Sequence, residues 1–289
     1  MVSCAHEHII RENTLDGNMP YTIAFVNQKG GSGKSKTAGG LAGELAAMGR
    51  RVLVIDADPQ GTITAWMLGS RNRNGLVGLA EVLGYGITDD SDREPPSLEG
   101  TALRSESFEL HVVAADFANL SNVEKTMTSD ASRTADLLAA VEQVGDEYDY
   151  IIIDTPGSLG QLTMAAVLAS DGLIIPIDSD TEAVQGFGRL LKALQRMRQL
   201  HATFEILGVV ATRFKANTGY SAHVLGEVKA NTTYPIYATI RESIRVAETT
   251  NANLPIGKYA PNEPAHEDFR KLAEIVDAHV QSKNMVHAR

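Results

Sequence analysis

Lys29-Gly30-Gly31-Ser32-Gly33-Lys34-Ser35 follows the apolar run from Tyr21 to Val26 and opens a helix-like stretch from Ser35 to Met48. A strand, a glycine-rich loop and a helix in that order are the setting in which backbone can wrap an anion. Glycines let successive N–H groups turn inward with no side chain in the way. The helix N-terminus behind them adds partial positive charge at the same spot. In this pattern Lys34 reaches the β/γ-phosphates of a nucleotide and the Ser35 hydroxyl binds Mg²⁺. The loop departs from G-x-x-x-x-G-K-[ST] at one end, where Gln28 replaces the first glycine and Lys29 adds a cation.

Further along, Arg51 to Ile55 reads as a second strand, nearly all apolar, as expected for a sheet covered on both faces. It runs into Asp56-Ala57-Asp58-Pro59-Gln60-Gly61. In open α/β sheets ligands gather beyond the carboxyl ends of strands, where these two aspartates fall. One carboxylate can meet a metal while the other orients attacking water. Tyr150 to Ile153 is another apolar strand, ending in Asp154-Thr155-Pro156-Gly157; an acid there suits a Mg²⁺ ligand, and the Pro-Gly loop could sense a γ-phosphate.

Between and after these segments the pattern predicts strands at Leu110–Ala114, Leu173–Ile177, Ile206–Ala211 and Ile236–Ile240. Helices are predicted over 131–144, 181–200, 220–230 and 267–280, the last with Phe269, Leu272, Ile275 and Val276 on its apolar stripe. Gly84 to Gly100 reads as a solvated connection, and residues 1–20 as a flexible polar leader ahead of a single domain over 21–289. The alternation predicts an α/β fold: one doubly wound, mostly parallel sheet with helices on both faces.

The totals narrow the class. The 289 residues are 43% hydrophobic, with one cysteine (Cys4) and a formal net charge of −10. One cysteine excludes an internal disulfide framework and an iron–sulfur reductase, and suits a reducing cytoplasm. No apolar run reaches the ~20 residues of a membrane span. The last residues, QSKNMVHAR, lack the bulky apolar anchor of a membrane-cycling positioning ATPase.

With these segments in place, the chain resembles the ParA-type partition ATPases of the ParA/MinD class, which carry a deviant Walker A loop. The resemblance rests on N-Q-K-G-G-S-G-K-S at Asn27–Ser35, D-A-D-P-Q-G at Asp56–Gly61 and I-I-I-D-T-P-G at Ile151–Gly157. I-P-I-D at Ile175–Asp178 and I-R-E-S-I-R-V-A-E at Ile240–Glu248 add to it. It implies ATP and Mg²⁺ as cofactors and an ATP-sandwich homodimer, with Lys29 crossing to the partner subunit's phosphates. It also implies nucleotide contacts from Gly30, Gly31, Ser32, Gly33, Lys34 and Ser35, metal contacts from Ser35, Asp56 and Asp154, and water positioned by Asp58. Thr212 and Arg213 become candidates for the adenine. Lys36 stands where the family has Thr or Ser near the α-phosphate and is itself a candidate nucleotide contact, supplying a cation there or pointing to solvent, and Gly40 stands where Asn is common.

The implied activity is slow ATP hydrolysis stimulated by a ParB-like adaptor, with non-specific DNA bound by the ATP dimer, in a cytoplasmic, nucleoid-associated protein. A cousin that moves a protein cargo over the nucleoid would use nearly the same enzyme, and a MinD-like membrane cycle is the less favoured alternative. Charge supports the DNA reading. Between Gly186 and Arg245 nine Lys/Arg face three acids, +6 in a chain of −10, which leaves −16 for the remainder. Arg241, Arg245 and Lys215 are the residues expected in that patch.

Overall fold

The computed structural model describes residues 19–69, 76–86, 94–178, 181–199, 203–215 and 219–287. Its elements in chain order are β1 (Tyr21–Phe25), α1 (Lys34–Ala47), β2 (Val52–Asp56), α2 (Thr62–Leu68), α3 (Leu79–Val82), α4 (Leu98–Thr101), β3 (Leu103–Ser105) and β4 (Leu110–Val113). There follow α5 (Phe117–Ser129), a 3₁₀ turn (Ala131–Ala135), α6 (Asp136–Glu142), β5 (Tyr150–Asp154), α7 (Gln161–Leu168), β6 (Gly172–Asp178) and α8 (Thr181–Gln199). The last are β7 (Glu205–Phe214), α9 (Gly219–Asn231), β8 (Ile236–Arg241), α10 (Ile244–Ala252), α11 (Ile256–Tyr259) and α12 (Pro264–His287).

All eight strands form one sheet in the order β3-β4-β2-β5-β1-β6-β7-β8. Every pairing is parallel except β3 with β4 at the edge. Side chains of successive β1 residues alternate between two cores. Ala24 and Val26 pack on the side of α5 to α8, and Ile23 and Phe25 on the side of α1, α2 and α12. β5 and β6 are buried along their whole length, which is why they are short continuous apolar runs. The β2–β5 register sets Asp56 beside Asp154 at the same end of the sheet. The loop after β1 opens at that end too.

The predicted sheet is the one observed, with corrections in detail. β3 was not expected. Three residues around a charged Arg104 carry no readable alternation, and the strand exists because it pairs with β4. The helix expected over 131–144 is broken, because the Asp130 side chain accepts from Ser132 N and caps a 3₁₀ turn before α6 begins. Within α6 Leu137 and Val141 are buried and Leu138 is half-buried. Ile275 is 40% exposed and not on the buried stripe of α12; Phe269, Leu272 and Val276 are. The expected leader lies outside the described residues up to position 18, and so do residues 87–93 of the expected solvated connection. Beyond them Leu98 is buried and begins α4.

Candidate nucleotide-binding site

The loop between β1 and α1 is held from three sides. Asn27, buried, donates its side-chain amide to Pro176 O and accepts Lys29 N at 3.1 Å. Gly31 and Gly33 have φ of +73° and +83°, the left-handed region where a side chain is strained. Gly33 has a second reason to be glycine: a Cβ there would lie 3.0 Å from Thr212 Oγ1. That hydroxyl lies 2.9 Å from Ser32 O and 3.0 Å from Ile177 O, so the end of β7 braces the loop from below. On the third side Gly157 comes so close that a Cβ would meet Gly30 Cα at 3.0 Å. Thr155 fixes that approach by donating its hydroxyl to Phe25 O at 2.6 Å. Sequence reasoning did not single out Asn27, Thr155 or Thr64 as site residues: the first two stand inside the motifs but act on backbone, and Thr64 lies outside them and acts on Asp56.

Four ionisable groups meet under the loop. Lys34 is 6% exposed and donates to Lys29 O at 3.1 Å; burial lowers its pKa, while Asp154 and Asp58 oppose that fall. Asp56 is fully buried, and its oxygens are engaged: Oδ2 accepts Thr64 N at 2.8 Å and Thr64 Oγ1 at 2.7 Å, and Oδ1 accepts Asp58 N at 3.2 Å. Burial pushes its carboxyl up to about 6. Asp58 is partly buried, raised by burial, and accepts Gln60 N at 3.0 Å. Asp154 differs from both. It is fully buried, and among the described residues neither carboxylate oxygen has a partner in full hydrogen-bond geometry, the Ser35 hydroxyl being the nearby donor. Burial and then the charge of Asp56 raise it well above the carboxylate range, with Ser35 and Lys34 opposing. Two acceptor-only oxygens without a donor are costly in a dry site unless a cation or a proton meets them.

The cleft above these groups encloses roughly 1320 Å³ between the loop, Asp58, the 156–158 turn, Thr212, Arg213 and the segment from Ile240 to Ala247. That volume accommodates a drug-sized or nucleotide-sized ligand. Arg213 has φ +53°, left-handed for a bulky residue, and pairs with Asp178 at the end of β6. The I-P-I-D segment was the signal for that partner.

A family model described as an AAA domain matches residues 21–206. The chain is also 33% identical over 262 residues to the chromosome-partitioning ATPase Soj of Thermus thermophilus, covering 90% of this chain and 96% of that one. It belongs to the Soj/ParA family of partition ATPases. The chromosome partitioning protein ParA of Caulobacter vibrioides is 33% identical over 266 residues, covering 91% of this chain and 96% of its own. Among solved structures, the ATP complex of the D38A variant of McdA from Cyanothece superposes with a TM-score of 0.78 at 25% identity, covering 90% of this chain and 97% of that one.

Two departures from the ParA pattern now have physical explanations. A Cβ on Gly40 would collide with the ring of Phe269, so α1 lies too close to α12 for asparagine. Lys36, expected from the sequence as a candidate nucleotide contact, does not turn toward the loop, and the fold corrects that expectation. Its amine donates to Val246 O at 3.1 Å and to the Thr250 hydroxyl, and lies 4.4 Å from the centroid of the Trp66 ring. The residues expected to contact DNA are paired within the chain. Arg241 makes two bonds to Asp268 at 2.6 and 2.7 Å, Arg245 meets Glu248 at 2.9 Å, and Lys215 meets Glu242 at 3.3 Å.

Proposed function

We propose that this ParA-family ATPase is a nucleotide-driven switch. ATP with Mg²⁺ closes two copies into a sandwich dimer, the dimer holds DNA without base readout, and slow hydrolysis stimulated by a ParB-like partner releases it. The observation that carries the reading is Asp154, whose two buried oxygens have no partner in full hydrogen-bond geometry among the described residues, beside the Ser35 hydroxyl and a buried Lys34. That donor set fits Mg²⁺, which takes one or two protein oxygens and leaves the rest of its shell to phosphates and water. Asp154 and the Ser35 hydroxyl would hold the ion. Asp56, already engaged by Thr64 and Asp58 N, would act from behind. When bound, Mg²⁺ supplies charge neutralisation on the phosphates.

The chain's own residues do the rest. Backbone N–H groups of Gly30 to Gly33, with the Ser32 hydroxyl beside them, cradle the phosphates, and Lys34 brings a cation to the β/γ end. Lys29 reaches across to the second copy's phosphates, so neither site is complete in a monomer. Asp58, at the rim of the cleft, orients the attacking water and accepts its proton. Thr212 and Arg213 border the base. The energetic logic is a population shift, since ATP favours only the state it binds better. The test is retention of duplex DNA and oligomeric state measured with ATP, with ADP and without nucleotide. DNA retention and dimer formation with ATP alone are expected. A monomer that binds DNA equally in all three conditions would end this reading.

A further inference from the structure

Thr64 lies in the first turn of α2 and is fully buried. A threonine hydroxyl inside a helix ordinarily bonds back to a carbonyl of the preceding turn. This one leaves the helix. It accepts Ala115 N at 2.9 Å and donates to Asp56 Oδ2 at 2.7 Å. The backbone N–H of Ala115 can only donate, so the single hydroxyl proton is committed to Asp56. The Thr64 N–H, one of the first few that a helix leaves without an internal partner, reaches the same oxygen at 2.8 Å. Capping α2 needs only that N–H. The hydroxyl is a second bond, aimed separately.

It falls where the sheet runs out. The parallel pairing of β2 with β4 ends at Ile55 and Val113. Just beyond, Ala115 N is taken by Thr64 and not by β2, and Asp116 then caps α5, whose Ser121 and Glu124 line the cleft. On the other side Asp56 Oδ1 accepts Asp58 N at 3.2 Å, and Asp58 O accepts Gly61 N at 2.8 Å to close the turn. One hydroxyl thus registers the end of β4, the start of α2 and, through Asp56, the Asp58 turn. With a bond on each oxygen, the Asp56 carboxylate is left one orientation.

We propose that Thr64 is a positioning residue for ATP hydrolysis: its hydroxyl aims the Asp56 carboxylate and holds the Asp58 turn at the rim of the cleft. This role rests on the reading above, in which Asp154 and Ser35 hold Mg²⁺ and Asp58 orients the water. Thr64 acts only through Asp56, since it sits behind that carboxylate and does not line the cleft. Residues that orient the carboxylates of a metal site change metal affinity or activity by about 10–100-fold when they are removed. Valine keeps threonine's branched shape without the hydroxyl. Thr64→Val therefore takes one bond from Asp56 Oδ2 and leaves Ala115 N without its acceptor, with the packing little altered.

The experiment uses the full chain as wild type, Thr64→Val, Thr64→Cys, Thr64→Ser and Asp154→Asn. It measures ATP turnover, ATP affinity in excess EDTA, and the Mg²⁺ concentration that gives half the thermal shift seen with ATP. Thr64→Val should cut kcat by about 10-fold or more, leave KM for ATP within about 2-fold, and raise the Mg²⁺ midpoint severalfold. Its ATP affinity in EDTA should match wild type. Thr64→Ser keeps the donor and should recover most of the turnover and of the midpoint, even where loss of the methyl lowers melting. Thr64→Cys, with only a weak thiol donor, should behave as valine does and replaces it if the valine variant does not fold. Valine or cysteine variants that melt lower yet keep wild-type kcat and Mg²⁺ midpoint would reduce Thr64 to a packing residue. So would a serine variant as slow as the valine one. Asp154→Asn separates this role from the site itself. A midpoint shifted there but not in the Thr64 variants removes Thr64 alone, whereas an unshifted midpoint in Asp154→Asn removes the metal site and the role of Thr64 with it.

Discussion

Lys36 sits one residue beyond Ser35, yet its amine ends on α10, under Val246 and Thr250 and against Trp66. Trp66 in turn donates its indole N–H to Leu254 O at 3.1 Å, and Asn253, at φ +54°, donates to Ala65 O and Trp66 O. Lys36 therefore joins the helix behind the phosphate loop to the segment that closes the cleft. Burial pulls its amine from 10.5 down to about 8. The folded chain then binds fewer protons than the unfolded chain between those values, so stability should rise as pH climbs from about 8 to 10.5. Lys36→Met keeps an apolar stem over Trp66 but deletes the donors. It should leave stability unchanged or raise it near neutral pH, where burial penalises the ammonium, and abolish that rise, read from denaturation curves at several pH values. Nothing in the sequence announced this, because the partners are more than two hundred residues away.

At the scale of elements, the opposite end of the sheet is fastened by Glu205 at the start of β7. Its Oε1 accepts from the Tyr21 hydroxyl of β1, from His279 at 3.0 Å and from Lys283, the last two on α12. Burial alone would raise this carboxyl, but the bonds from Lys283, Tyr21 and His279 outweigh it and hold it below its ordinary value. A depressed carboxyl stabilises above the unfolded pKa and loses that contribution as pH falls through the folded one. Glu205→Gln should thus lower the melting temperature at pH 7, by an amount equivalent to about 1–2 kcal/mol, and bring it close to wild type at acid pH. A constant gap across pH would refute the linkage. The elements themselves were unequally legible. β5 and β6 announced themselves as apolar runs. α7 did not, because it is apolar on nearly every side and has no stripe to read, and α5 was hidden by its polar residues although Leu120, Val123 and Met127 are buried.

At the scale of the molecule, the carboxyl ends of the parallel strands bring the loop, three aspartates and the closing segment around one cleft. A ligand that binds only this assembled state stabilises all of it. ATP with Mg²⁺ at a hundred times its dissociation constant should add about 2.7 kcal/mol, and chelating the metal should remove much of that gain. If Asp58 orients the attacking water as proposed, Asp58→Ala should keep the thermal shift while turnover falls by about 10²-fold or more. Loss of the shift in that variant would move Asp58 from chemistry to binding.

The strand–loop–helix order, the aspartates at strand ends and the alternation of β and α were fixed by local pattern, since burial on both faces and a tight anion loop leave few residue choices at those positions. Which carboxylates most of the basic residues near β7 and β8 meet was decided only by the fold. Asp178, Glu242 and Asp268 lie far along the chain from Arg213, Lys215 and Arg241, and three-dimensional proximity alone pairs them, whereas Arg245 and Glu248 are a local pair one turn apart on α10. The same holds for the oxygens: Asp56 and Asp154 look alike in sequence, but Thr64 bonds one firmly, while among the described residues the other has only the Ser35 hydroxyl close by and no bond in full geometry.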